Sequence, residues 1–315
     1  MEKSHPLTGT SAPPSASDRH PFRFGVVAAT ARSGDEWIAT ARRAESLGYA
    51  TLVAPDNLQY NLAPLPALTM AAAATRSLRV GTYVLANDLR HPVLLAKDVA
   101  TLDLLSGGRF ELGVGAGRPD ASAENRMLGL PFDRGAVRVA RLAESLGILK
   151  ALLAGERVST SGTYYSVTDA QVSPPPVQQP RLPILVAGSG RQLLSLAGRV
   201  ADVVAIGLPP DASEAIVAER VSWIRAAAGE RFAQIELSIN LMAVAGQVPR
   251  WIAAQLRLTA EDLAERGSVA ALNGTTDQMC EQLIQRRAKL GLSYILVSDE
   301  FTELFAPVVE RLAGH

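Results

Sequence analysis

Short apolar runs alternate with longer amphipathic stretches about eight times along this chain, and that alternation restricts its fold more than any other feature. The strand-like runs fall at 24–29, 51–54, 78–85, 110–114, 184–187, 203–206, 235–244 and 294–297. Helical spacing occupies 35–47, 66–74, 93–105, 135–153, 191–200, 212–228, 277–290 and 303–312. In the first helical stretch Trp37, Ile38, Ala41, Ala44 and Leu47 recur at three- and four-residue intervals, which marks one buried face. Gly48 is placed to end that helix in the left-handed conformation. About eight strand–helix units are what a closed barrel requires. The expected fold is therefore α/β, a single (β/α)8 TIM barrel. A doubly wound open sheet would call for a Gly-rich fingerprint after the first strand, and none is present. Two segments, Ala44-Glu45-Ser46-Leu47-Gly48-Tyr49 and Ala288-Lys289-Leu290-Gly291-Leu292, repeat the same phrase of helix end, Leu-Gly, then strand.

Size allows this as one unit, because 315 residues at 48% hydrophobic can bury a large core and such barrels commonly run to this length. The domain is expected over 22–315, behind a flexible tail at 1–21 rich in Ser, Pro and Ala that lacks the apolar run of a secretory signal. Two insertions interrupt the alternation. Residues 155–183 precede the fifth strand and carry Tyr164-Tyr165 and three consecutive prolines; residues 246–276 follow the seventh and carry Trp251. Both are expected to serve as lids, interfaces or substrate walls. Basic and acidic residues number 31 each, so no excess charge speaks for a nucleic-acid partner. No stretch approaches the roughly 20 apolar residues that span a bilayer. The single cysteine, Cys280, rules out an internal disulfide and a multi-cysteine metal site, which fits a cytoplasmic location.

In an α/β barrel, ligands meet the loops that follow the strands. Asp56-Asn57 follow the second strand, Asn87, Asp88, Arg90 and His91 the third, Gly115-Ala116-Gly117-Arg118 the fourth, Gly188-Ser189-Gly190-Arg191 the fifth and Asp299-Glu300 the eighth. Three of the four histidines (His5, His20, His315) lie near the termini, and His91 alone cannot build a metal site. No Gly-x-Ser-x-Gly elbow exists, and the four lysines fall in the tail or in helices, which speaks against serine-hydrolase and Schiff-base chemistry. A barrel mouth with so few acids, bases and nucleophiles points to a cofactor as the reactive group. Gly188-Ser189-Gly190 joins a strand to a helix, so free N–H groups and the helix dipole would converge there on a phosphate; the alternative is a plain tight turn. Gly113-Val114-Gly115-Ala116-Gly117 lacks dinucleotide-binding spacing and suits a flat ring lying on the strand end. Asp56 could handle a proton, or it could cap a turn.

At these residues the chain resembles the luciferase-like monooxygenase superfamily, particularly its oxidoreductases that use the deazaflavin coenzyme F420. The most specific block is Leu78-Arg79-Val80-Gly81-Thr82, Arg90-His91-Pro92, Ala96-Lys97, Thr101-Leu102-Asp103, Ser106-Gly107-Gly108-Arg109 and the strand-4 glycines, followed by Gly129-Leu130-Pro131-Phe132-Asp133-Arg134 and residues 183–190. The resemblance implies a tricyclic ring held over the barrel mouth. It also implies a non-proline cis peptide at Tyr83-Val84, cofactor contacts at Asp56, Tyr83, Val84, Ala86, Ala116 and Gly117, and phosphate or tail contacts at Ser189, Gly190, Gln192 and Leu193. Two departures stand out. The sugar-phosphate dehydrogenases of the group have histidine after the strand-2 aspartate and glutamate after the strand-4 glycines, where this chain has Asn57 and Arg118. That removes their proton-handling pair and argues against a sugar-phosphate substrate.

The expected function is hydride transfer between deazaflavin and a small organic substrate. Asp56 would handle a proton, Asn57 orient the substrate, and Arg118 or Arg191 meet a phosphate or the acidic tail. The alternatives are a monooxygenase using reduced FMN and dioxygen, or a phosphate-binding isomerase or lyase without a redox cofactor. A homodimer is expected from the same resemblance.

Overall fold

The computed structural model describes residues 20–58 and 62–315, so the expected tail lies, up to residue 19, outside the described residues. Its first elements alternate as β1 (Arg23–Val27), α1 (Gly34–Ser46), β2 (Thr51–Ala54), α2 (Pro64–Ala74), β3 (Arg79–Thr82), β4 (Leu85–Ala86), α3 (Pro92–Leu105), β5 (Phe110–Gly115), α4 (Ser122–Met127) and α5 (Gly135–Leu153). A hairpin, β6 (Val158–Ser161) and β7 (Ser166–Ala170), precedes β8 (Ile184–Gly188), α6 (Arg191–Val200), β9 (Val203–Ile206), α7 (Glu214–Ala228) and β10 (Glu236–Asn240). Then come β11 (Ala243–Val244), α8 (Ala260–Glu265), β12 (Ala271–Leu272), α9 (Thr276–Leu290), β13 (Leu292–Ser298) and α10 (Thr302–Leu312).

Eight parallel strands (β1, β2, β3, β5, β8, β9, β10, β13) close on themselves through the β3–β5 pairing, giving the expected (β/α)8 barrel. Helix ends follow local chemistry. Ser33 caps α1 by accepting from the Glu36 N–H at 3.2 Å, and Thr275 with Gln278 forms a capping box on α9. The two Leu-Gly phrases do the same job: Gly48 and Gly291 take φ of +79° and +77°, a region closed to most side chains, and each turns a helix into the next strand.

The barrel interior is layered. At the end where the strands begin, Arg23 and Arg79 both bind the buried Glu111 carboxylate, Arg23 also binds Glu236, and its guanidinium lies 3.8 Å from the Tyr294 ring centroid. Burial alone would push the Glu111 carboxyl up, but the two arginine cations outweigh it and hold it below the ordinary range. Above that plug, Val53, Leu185, Val203, Ala205 and Leu296 fill the middle with apolar volume. The larger core packs strand exteriors against the helices. The end where the strands finish opens into a cavity.

Two expected strands are split. The run 78–85 breaks between β3 and β4, where the register pairs Gly81 with Glu111 and Leu85 with Val114, so that three residues of one strand (82–84) lie opposite two of its neighbour (112–113). This bulge contains the Tyr83–Val84 peptide, which is cis, as the resemblance implied. The Thr82 hydroxyl replaces the lost ladder bonds, donating to the Gly113 carbonyl and accepting from its N–H, both at 2.8 Å. The run 235–244 breaks after Asn240, and β11 leaves the barrel to pair with β12.

Both insertions touch loops that follow the strands: the Tyr165 hydroxyl accepts from the Asn87 side-chain amide at 3.1 Å, and the Ala270 carbonyl accepts from the Met242 N–H at 2.6 Å. Residues 155–183 form the hairpin and then run beneath the barrel, where Asp103, at the far end of α3, accepts from the N–H groups of Val177 (2.7 Å) and Gln178 (3.1 Å). Residues 246–276 build a satellite core of Ala260, Leu263 and Ala271 against Ala243. Neither segment contributes a residue to the cavity described next, so the expectation that they wall the substrate is corrected. No helix among the described residues is long and apolar enough to cross a membrane.

Candidate active site

The strand ends open into one cavity of about 580 Å³, a size that suits a cofactor with a small substrate. Asp56 and Asn57 line it from β2, Tyr83, Val84 and Ala86 from the bulge, Ala116, Gly117 and Arg118 from the end of β5, and Ser189, Gly190, Gln192 and Leu193 from the β8–α6 junction. Residues scattered over 138 positions of sequence thus meet at one place, together with Gly115 and Gly188. Arg191 is the exception. It sits at the first residue of α6, exposed, and does not line the cavity.

The β8–α6 junction leaves the first N–H groups of α6 without a side-chain cap. Gly190 is the N-cap of α6, extended at φ −84° and ψ 150°. A Cβ at Gly190 would meet nothing within 4 Å, so the space in front of those donors is open. On the opposite wall β5 must approach the bulge closely: a Cβ on Gly113 would lie 1.9 Å from the Thr82 carbonyl oxygen. The bulge pushes Val84 toward Gly115, and burial drives the Tyr83 phenol above its ordinary pKa, so Tyr83 stays protonated.

The charged residues of the mouth are tied to one another. Asp56, with 6% of its side chain exposed, forms a two-pronged ion pair with Arg90 and accepts from the Ala86 N–H at 3.1 Å. Its carboxylate thereby fixes the backbone of the bulge. Arg118 pairs with Glu124 at 3.1 Å and lies 3.7 Å from Asp120. Arg138, only 7% exposed, donates to the carbonyls of Ala116 (2.8 Å) and Gly117 (2.9 Å) and stacks on Phe132. Sequence reasoning missed Glu124, Arg138, Asn240 and Met242 as lining residues. Glu124 lies on the short α4, which has no apolar periodicity to announce it. Asn240 could have been found by asking the strand-end question of the seventh strand. Among the described residues no group of His, Cys, Asp and Glu could hold a metal ion.

A family model described as luciferase-like monooxygenase matches residues 20–290. The chain belongs to that family. An F420-dependent glucose-6-phosphate dehydrogenase from Beutenbergia cavernae is 42% identical over 167 residues, covering 50% of this chain and 48% of that protein. The chain spans about half the length of the curated relatives it matches. Among solved structures, the coenzyme F420-dependent tetrahydromethanopterin reductase from Methanopyrus kandleri superposes with a TM-score of 0.74 at 19% identity, over 93% of this chain and 99% of that one. A riboflavin lyase with modified FMN superposes with a TM-score of 0.74 at 15% identity, over 93% of this chain and 92% of that one. These superpositions establish the luciferase-like barrel fold.

Proposed function

We propose that this protein is a coenzyme F420-dependent oxidoreductase that moves a hydride between the deazaflavin and a small organic substrate. The observation that carries this reading is the uncapped start of α6 opening into the same cavity as the bulge and the β5 glycine loop. A flat ring would rest between the bulge and Ala116-Gly117, with its phosphate at Ser189, Gly190 and the N–H groups of Gln192 and Leu193. When bound, deazaflavin supplies a ring carbon that gives or accepts a hydride. The protein orients the two partners and keeps water out. Arg191, exposed just outside the cavity, is placed to meet an anionic tail leaving the mouth. Asp56 acts as a positioning residue, because its carboxylate already serves Arg90 and the Ala86 N–H, and Asn57 faces the substrate beside it.

The similarity to proteins named F420-dependent supports the choice of cofactor. An FMN-dependent monooxygenase is the second reading, favoured by the family description and by the FMN-containing neighbour. Fluorescence titration of the purified protein with deazaflavin and with FMN separates them. Saturable deazaflavin binding at least about ten-fold tighter than FMN is expected; the reverse order refutes the proposal. We also propose a cytoplasmic location, in keeping with the single cysteine, and a homodimer, in keeping with the exposed apolar side chains Leu94 and Leu105 of α3 and Met127 of α4. Light scattering that returns a monomer mass refutes the dimer.

A further inference from the structure

The cavity divides by strand. The bulge, β5 and the β8–α6 junction supply the residues assigned above to the deazaflavin. Of the remaining lining, the wall opposite comes from the ends of β9 and β10: Ile206, Gly207, Leu208, Asn240 and Met242. None of these can carry a charge. Asp56 is paired with Arg90 and Glu124 with Arg118, while Arg138, on the β5 side of the cavity, donates to backbone carbonyls through one terminal nitrogen and leaves its Nε without a partner among the described residues. Asp299 and Glu300, which follow the eighth strand, do not line the cavity. A phosphate or carboxylate held against the β9–β10 wall would lose its water and find no cation among that wall's residues, which is a costly exchange.

Asn240 presents the opposite situation. It ends β10, faces the cavity, and its Oδ1 is buried without a hydrogen-bond partner among the described residues. Buried amide groups are rarely left so, and an unpaired one beside a cavity calls for a ligand group. An amide can accept from a hydroxyl through Oδ1 and donate to a carbonyl through Nδ2, so it serves an alcohol and a carbonyl equally.

We propose, building on the deazaflavin reading, that the substrate is an uncharged molecule bearing a hydroxyl or carbonyl group, and that Asn240 is the residue that selects it. Phosphorylated and carboxylated compounds are excluded because the β9–β10 wall has no cation to receive them.

The test is calorimetric titration of the full chain, saturated with deazaflavin, using cyclohexanol and cyclohexyl phosphate as matched probes. Cyclohexanol is expected to bind at least about ten-fold tighter. Asn240→Leu should weaken cyclohexanol about three- to ten-fold, the size of one hydrogen bond, with deazaflavin affinity changed less than about two-fold. Leu208→Lys, which adds an unpaired cation to the same wall, should raise cyclohexyl phosphate affinity at least about ten-fold and so tests the charge argument even if the Asn240 variant does not fold. Equal or tighter binding of cyclohexyl phosphate to the unsubstituted protein, no binding of cyclohexanol, or no effect of either substitution overturns the inference. Failure to bind deazaflavin at all overturns the proposed function and this inference with it, whereas deazaflavin binding with the wrong probe preference overturns only the inference.

Discussion

Gly190→Asp should make the protein more stable and the cofactor site weaker. Gly190 has extended backbone angles that any residue adopts, and its Cβ position is empty to 4 Å, so the substitution brings neither strain nor collision. An aspartate at an N-cap accepts from the first helical N–H groups, where glycine cannot. That gain is a few tenths of a kcal/mol, and a negative charge at the positive end of the α6 dipole adds about 0.3–1 kcal/mol. Together they amount to about 0.5–1 kcal/mol, or a rise of about 1–3 °C in Tm. The same carboxylate would occupy the donors proposed for the phosphate. Two unit charges about 4 Å apart repel by about 4 kcal/mol near a protein surface, and salt and exposure at this rim reduce that value. Deazaflavin affinity should fall about 10- to 100-fold. Gly190→Asn is the control, since it caps without charge and should stabilise similarly while costing far less affinity. Differential scanning fluorimetry reads the first quantity and fluorescence titration the second. If Gly190→Asp binds deazaflavin as well as Gly190→Asn does, no anion sits at the start of α6 and the reasoning fails.

Asp56→Asn should weaken deazaflavin binding and lower stability by about 1–3 kcal/mol, because it leaves Arg90 without its counter-charge and loosens the bulge through Ala86. Arg90→Gln should do the same, whereas a kcat loss beyond about 100-fold in Asp56→Asn alone would instead give Asp56 a proton-transfer role. Gly113→Ala drives a methyl group to 1.9 Å from the Thr82 carbonyl oxygen and should cost about 3 kcal/mol in denaturant unfolding; Gly190→Ala, with open space around it, should cost almost nothing there. Acidification should destabilise the barrel through Glu111. Its folded pKa is lowered, so its contribution is complete above the unfolded value near 4.5 and is lost as pH falls through the folded value. Glu111→Gln should cost about 2–3 kcal/mol at neutral pH and flatten the acid limb of the stability profile; an unchanged limb would assign acid unfolding to other groups.

The parts of this fold that sequence reasoning reached are those set by local periodicity. Residues 51–54 and 203–206, and the helices 135–153 and 191–200, were expected with the bounds the structure shows, since buried parallel strands and helical faces write their spacing into contiguous residues. The β8–α6 junction was legible for the same reason, being a strand, a Gly-Ser-Gly turn and a helix in direct succession. What periodicity could not supply was pairing at a distance. The partner of Asp56 lies 34 positions away on the far side of the bulge, and nothing around residue 90 marks it as a counter-ion. That the two insertions do not line the cavity was not legible, because length and aromatic content say that a segment is tethered somewhere, not where. Residues 177 and 178 go to the barrel floor because Asp103, a fully buried carboxylate at the end of α3, needs donors there.

Similarity and departure at the mouth have to be weighed together. The similarity to an F420-dependent glucose-6-phosphate dehydrogenase is 42% identity over 167 residues, while the family resemblance implies a glutamate in sugar-phosphate dehydrogenases where this chain has Arg118. The structure makes that charge reversal self-consistent. Glu124, six residues further on, supplies the counter-charge for Arg118, and Arg138 secures the intervening carbonyls. Returning Arg118 alone to glutamate would set it beside the buried Glu124 with no cation between them, an arrangement that forces one carboxyl to hold a proton. A single exchange would therefore not restore the relatives' chemistry. In the loop that follows β5 the charge of Arg118 is already engaged by Glu124 and lies 3.7 Å from Asp120.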